Sequence, residues 1–278
     1  MQKLAELEHI LGWAAKEGWN PGLNDAEAFY QADPDGFFVA VNQEDEPIAS
    51  ISVVNHTSDF AFLGLYIVTP DYRGRGTGFA LWNHALEHAG NRVIGLDGVE
   101  AQQENYRTSG FVSAGGTTRF TGQLSGQRQD EVRNATPDDI PPLIEMEAHA
   151  SGVVKSNYLQ AWFSQAASRS TLILESQQQI SAFATIRACN EGAKIGPIIA
   201  ADADTAHKLI SHAATVFDGP LTVDVPEFAN GLMRLCQRLG FERGFRTVVQ
   251  PEDDSQQKNR VEDDEGEVQV PGVQDPQQ

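Results

Sequence analysis

Hydrophobic positions along the chain recur with two periods, one helical and one of strands, and the two take turns. Near the start, Leu4, Leu7, Leu11, Ala14 and Ala15 recur at helical spacing with charges between them, which predicts a helix over 3–17. A second helical stretch covers 24–31, and strand patterns follow at 37–42, 47–55 and 60–68. A helix at 78–89, a strand at 92–97, a helix at 101–109 and a strand at 111–120 complete this run. The polar stretch TGQLSGQRQD at 121–130 has no hydrophobic period and reads as a linker. Beyond it comes a strand at 131–134, with helices at 137–149 and 157–168. Strands at 171–176, 179–188 and 193–200 follow, then helix 203–217, strand 220–225, helix 228–239 and strand 241–249. Both runs close with a helix entering Gly-Phe before a last strand: Thr108-Ser109-Gly110-Phe111 and Arg238-Leu239-Gly240-Phe241. The match lies in element order rather than in residues and predicts a structural repeat. The second run opens with a strand, EVRNAT, that the first lacks.

Composition narrows the class. Of 278 residues, 40% are apolar, enough for packed cores. The chain carries 20 basic and 39 acidic residues, a net charge of −19, with no visible basic patch. That balance argues against a nucleic-acid backbone or an anionic membrane as partner. The longest apolar stretch, Phe60 to Val68, has nine residues, against roughly 20 for a bilayer span. The N-terminus lacks the basic start and uninterrupted apolar run of a signal peptide. Two cysteines, Cys189 and Cys236, cannot staple a fold of this size and suit a reducing compartment. The expectation is a soluble, cytoplasmic protein. Residues 251–278 hold nine acidic residues, two basic ones and six Gln, which predicts a disordered acidic tail.

The most informative stretch is LGLYIVTPDYRGRGTGFALWNHAL, from Leu63 to Leu86. An apolar strand stops at Thr69-Pro70, turns, and reaches Arg73-Gly74-Arg75-Gly76-Thr77-Gly78 before an amphipathic helix. Glycines let consecutive backbone N–H groups converge, and a helix N-terminus adds partial positive charge, which makes a pyrophosphate cradle. A Walker loop would need a Lys, which is absent; a dinucleotide fingerprint would need Gly where Phe79 stands. The spacing that fits is Arg-x-x-Gly-x-Gly.

At these residues the chain resembles the GNAT superfamily of acyl-CoA N-acyltransferases, whose coenzyme motif is Gln/Arg-x-x-Gly-x-Gly/Ala between a strand and a helix. Tyr106, four residues before Gly110-Phe111, matches the Tyr of the family's next segment. With EGWNPG at 17–22 and DPDGFF at 33–38, the string is similar to a two-domain GNAT type whose second half is a degenerate copy. The resemblance implies an α/β (α+β) fold of two mixed-sheet domains in tandem. These are a catalytic domain over 1–122 and a degenerate one over 131–250, with the tail over 251–278. There are departures: the first strand is missing or very short, Val99 stands where an Asn is common, and the acidic tail replaces a further strand.

The resemblance implies acetyl-CoA as co-substrate. Tyr66, Ile67 and Val68 would pair their backbone with the pantetheine arm, with the Val68 amide at the acetyl carbonyl, an oxyanion-hole contact. Arg73, Gly74, Arg75, Gly76, Thr77, Gly78 and Phe79 would bind the pyrophosphate. Tyr106 would give its phenol proton to the departing thiolate; the other reading is a core Tyr. For the base, Asp97, Glu100, Glu104 and His56 are the candidates, each also readable as a surface residue. Trp19 and Asn20 are the candidate acceptor contacts; a helix end with a Pro-Gly turn and an anchoring Trp is the equal alternative. His84-Ala85-Leu86-Glu87-His88 matches H-x-x-E-H, but its helix begins at the phosphate turn, so no metal is expected. The second half has Ala201-Asp202-Ala203-Asp204 in place of the glycine turn and Cys236 in place of Tyr106, which predicts a scaffold that shapes the acceptor cleft or a subunit contact, as in a homodimer. The expected activity is direct acetyl transfer to a primary amine, of a small molecule or a peptide N-terminus. The rival is a non-catalytic acyl-CoA sensor or assembly module.

Overall fold

The structure, a computed structural model, describes residues 4–99, 102–177 and 179–251. Helices α1 (Leu4–Lys16) and α2 (Asp25–Ala32) precede an antiparallel meander of β1 (Phe37–Val41), β2 (Pro47–Asn55) and β3 (Phe60–Val68). A 3-10 turn at Pro70–Tyr72 leads to α3 (Thr77–Leu86), β4 (Val93–Val99), α4 (Gln103–Thr108) and β5 (Gly115–Gly122). The second half adds an edge strand, β6 (Val132–Asn134), before α5 (Ile140–Ser151) and α6 (Ser156–Phe163). Then come β7 (Arg169–Ser176), β8 (Gln179–Ala188), β9 (Ala193–Ile199), α7 (Ala203–Ala213), β10 (Leu221–Pro226), α8 (Asn230–Arg238) and β11 (Glu242–Pro251). Among the described residues no strand precedes α1, and no helix is long and apolar enough to cross a membrane.

All eleven strands form one mixed sheet, in the order β1-β2-β3-β4-β11-β5-β10-β9-β8-β7-β6. The halves exchange their final strands. β5 runs antiparallel to β10 of the second half, and β11 runs antiparallel to β4 of the first. The two exchanged strands pair with each other at the centre. A boundary drawn along the chain near residue 125 is therefore not a boundary in space.

Alternation sorts the strand residues onto two faces. Val53, Ala61, Leu63, Ile94 and Leu96 pack with Leu81, Trp82 and Ala85 of α3. Val54 and Leu65 join Leu7, Leu11 and Ala26 of α1 and α2 on the opposite face. Ala28 and Phe29 of α2 continue into the cluster around α5 and α6, so these four helices share one face of the sheet. Helices α7 and α8 cover the other face in the second half.

The repeated Gly-Phe has a local cause. Gly110 (φ 89°) and Gly240 (φ 76°) take the left-handed conformation that ends a helix. Phe111 N–H bonds to Tyr106 O and Phe241 N–H to Cys236 O, both at 3.0 Å. Tyr106 and Cys236 thus hold the same position in two equivalent caps.

Three expected boundaries move by four residues or more, one of them the end of the helix expected over 203–217, which stops at Ala213. The helix expected over 157–168 stops at Phe163, because Ser164 is extended and Ala166 bridges to Arg169 at the start of β7. The strand expected over 111–120 begins at Gly115 and runs to Gly122, because Phe111 is spent on the α4 cap and buried against α3. Of the expected tail, Pro251 closes β11 and residues 252–278 lie outside the described residues.

Candidate active site

Strands β3 and β4 separate to make an opening. They pair in parallel only over Phe60–Leu63 and Val93–Leu96; past that, β4 continues against β11 alone. Opposite the opening β3 carries a bulge, where Leu65 and Tyr66 together face Ile51. Leu65 sits at φ 48°, and its carbonyl is fixed by Ser50 Oγ–H at 2.8 Å. The bulge puts both Leu63 and Tyr66 on the α3 face while Leu65 packs toward α1. Thr69 N–H donates to Ile48 O on β2 at 2.9 Å. By alternation the Val68 amide points away from β2, toward the gap.

The glycine turn stands at the mouth of that gap. Gly74 (φ 74°) and Gly76 (φ 82°) are both left-handed, with Gly76 as the N-cap of α3 and no side chain capping the helix. Ala80 N–H is the first to bond within the helix, to Gly76 O at 3.0 Å, so the preceding amides face outward as a nest for an anion. Gly78 serves close approach: a Cβ there would lie 2.6 Å from Tyr66 Oη and 2.8 Å from Val68 Cγ2. Phe79 is exposed and Thr77 half-buried. Arg75 is exposed and lies over the Tyr72 ring at 5.4 Å. Arg73 braces the turn, donating from Nε to Val68 O at 2.8 Å and from Nη2 to Glu17 Oε1 at 2.5 Å.

Tyr106 reaches the same place from α4. Its ring lies on Gly98, where a Cβ would meet Cε2 at 2.5 Å, and stacks on Trp82 with centroids 6.0 Å apart. Trp82 also meets Tyr66 edge-on at 5.2 Å and Phe111 at 5.8 Å. Burial, and then the neighbouring Tyr66, raise the Tyr106 phenol above its ordinary value; burial alone raises Tyr66. Both are neutral acids at physiological pH. Among the described residues neither hydroxyl has a hydrogen-bond partner.

The expected acceptor loop is also the seam between the halves. Asn20 (φ 48°) donates from Nδ2 to Glu191 O at 2.8 Å and accepts from Glu191 N–H at 3.2 Å. Trp19 O accepts from Lys194 Nζ at 2.6 Å. Asn24 takes the amide and hydroxyl of Ser168, and Asp25 accepts from Arg187 at 3.2 Å. Asn20 is thus held by the second half, and its amide is occupied there.

The base candidates separate. His56 lies at the opposite end of β3, beside Phe60 and Tyr158, and burial followed by Lys155 holds it down at about 4. Glu104 is exposed and paired with Arg107 at 2.6 Å. Glu100 lies outside the described residues. Asp97 faces away from α3, on the α1–α2 side. It is exposed, and the protein around it, followed by Asp224, raises its carboxyl above the ordinary aspartate value. His88 Nε2 is 2.8 Å from Asp33 Oδ2, and His84 faces Glu87 at 3.5 Å, so each histidine of the H-x-x-E-H string has its own carboxylate.

The second half is built differently at the matching points. Asp202 caps α7 with its own carboxylate, Oδ1 accepting from Thr205 N–H at 2.8 Å. Cys236 is fully buried, and burial pushes its thiol up to about 11.

Three supporting residues were missed: Trp82, which joins the two tyrosines, and Glu17, which holds Arg73, carry no local signal of their role, whereas Gly98, which seats Tyr106, carries one. A small residue in a strand two positions past a buried Leu marks close approach, and Gly98 fits that cue.

Residues 4–111 match the model of the acetyltransferase (GNAT) family, and residues 143–263 match a second acetyltransferase (GNAT) domain model. A holothin acyltransferase of Pseudoalteromonas sp. (strain SANK 73390) is 35% identical over 249 residues, 88% of this chain and 84% of its own. The crystal structure of a putative acetyltransferase from Pyrococcus horikoshii aligns with a TM-score of 0.69 at 21% identity, covering 81% of this chain and 76% of that one. A tandem GNAT protein from the clavulanic acid biosynthesis pathway aligns at 0.62 with 14% identity, covering 89% and 94%. These two structures share the fold.

Proposed function

The chain belongs to the GNAT acyltransferase family, with two such domains in tandem, and we propose that its first half moves an acetyl group from acetyl-CoA to a primary amine. One observation carries the reading: Tyr106, Trp82 and Tyr66 form a continuous aromatic cluster joining a neutral phenol to the strand that borders the gap. The outward amides between Gly74 and Gly78 fit a pyrophosphate, and the Val68 amide fits a carbonyl oxygen in the gap. The amine nitrogen attacks the thioester carbon, the C–S bond breaks, and the thiolate takes the Tyr106 proton. The proton leaving the amine goes, through water, to Asp97, whose raised carboxyl suits a base better than that of Glu104, which the pairing with Arg107 lowers. Transfer is direct, because both cysteines lie in the second half and are buried. That half caps its own helix with Asp202 and serves as scaffold. The relative named holothin acyltransferase supports acyl transfer as the reaction.

Turnover of Tyr106→Phe against a panel of primary amines tests this. We expect kcat to fall about 100-fold, the scale of a lost general acid, while acetyl-CoA still binds. Unchanged kcat would remove the acid role. Acetyl-CoA binding without turnover by the unaltered chain would favour a binding module.

A further inference from the structure

A pocket of about 200 Å³ opens in the second half, on the sheet face that also carries Asp97. Lys194 to Pro197 of β9 and Asp224 of β10 line one side; Arg187 of β8 with Tyr158 and Trp162 of α6 line the other. The strands make room for it as they do in the first half. Parallel pairing of β9 with β10 stops at Ile195 and Val223, and the β8–β9 register slips between Ala184 and Ile186. Trp162 Nε1–H donates to Gly196 O at 3.2 Å, fixing the wall against the floor.

The charge in this pocket does not close. Asp224 is taken by Arg119 through two hydrogen bonds of 2.7 and 2.8 Å, and Arg187 is taken by Asp25. Lys194 is 6% exposed; its ammonium donates to the Trp19 carbonyl, and among the described residues it has no carboxylate within ion-pair distance. A buried ammonium is costly unless an anion faces it. Burial, followed by Arg119 and Arg187 close by, holds Lys194 down at about 8 against the weaker opposing pull of Asp224. All this lies in a chain of net charge −19.

We propose that the pocket binds the carboxylate of a small organic acid, with Lys194 and Arg187 facing the anion and Tyr158, Ile195 and Pro197 facing its body. The acid is either the far end of the amine acceptor or a separate molecule. Binding stands apart from the acyl-transfer reading; only assignment of the acid to the acceptor rests on that reading.

Benzoate and benzamide, which differ in charge and little in size, are titrated into the full-length protein at fixed ionic strength by calorimetry. Benzoate is expected to saturate, with benzamide at least tenfold weaker, and Lys194→Met is expected to weaken benzoate at least tenfold while acetyl-CoA affinity holds. Equal affinity for the two ligands, no saturable benzoate binding, or benzoate binding indifferent to Lys194→Met would overturn the proposal. If the variant does not fold, the two ligands on the unaltered protein decide. For the source, 4-(aminomethyl)benzoate and its amide are compared as acetyl acceptors. Preference for the acid, with benzoate competing against it, assigns the carboxylate to the acceptor; benzoate binding without competition assigns a separate acid. No turnover with either amine counts against the acyl-transfer reading and leaves the benzoate titration to judge the pocket.

Discussion

Helices α3 and α7 occupy matching places in the two halves and begin in opposite ways. α3 starts from left-handed Gly76 with its amides facing outward, whereas α7 starts from extended Asp202, whose carboxylate takes the Thr205 amide. A side-chain cap of that kind contributes about 1 kcal/mol. The first half forgoes it, and its amides stay open to an anion. The ends of α4 and α8 repeat the lesson. Identical caps hold Tyr106, a half-buried phenol, and Cys236, a buried thiol whose raised value leaves it protonated at neutral pH. The repeat keeps the frame in both halves and leaves the amides at the helix start uncapped in only one.

Both halves nevertheless depend on each other, and the largest effect should come from that. Ending the chain at Gly240 removes β11 and bares the facing edges of β4 and β5. We expect loss of the cooperative thermal transition for the whole molecule, read by circular dichroism; a first half that still melts as a unit would show the exchange to be dispensable. A smaller effect is expected at the helix start. Gly78→Ala drives a Cβ into Tyr66 and Val68, which should cost about 1–3 kcal/mol of stability by overpacking and weaken acetyl-CoA at least tenfold. Asp204, its counterpart in α7, is exposed. Asp204→Ala should stay within about 0.5 kcal/mol, as surface changes do, and comparison of the two melting curves checks the asymmetry. The smallest effect belongs to Asp202→Ala, which should cost about 1 kcal/mol in a denaturant titration and leave acetyl-CoA affinity where it was.

The order of elements was legible because helical and strand periods are local. The glycine turn was legible for the same reason: Gly74 and Gly76 adopt backbone angles that other residues avoid, so their need shows in the sequence. Strand exchange was not legible. The pairing of Arg119 with Asp224 and of Val99 with Thr247 joins residues more than a hundred positions apart, and the local pattern of each strand is the same whichever neighbour it takes. Asn20 shows the limit at a single residue. A polar residue in a Pro-Gly loop fits a substrate contact or a structural clamp equally, and only Glu191, brought over from the other half, shows its amide to be occupied. Lys194 is similar: nothing around it in sequence tells that its ammonium is buried, because the elements that bury it are remote.

On the reading proposed above, one half alone holds the coenzyme. Calorimetric titration of the full-length chain with acetyl-CoA tests it most directly, run beside Gly78→Ala and Asp202→Ala. One molecule is expected to bind per chain, weakened at least tenfold by the first substitution and unmoved by the second. Two molecules per chain, or a single site that ignores Gly78→Ala and responds to Asp202→Ala, would contradict it.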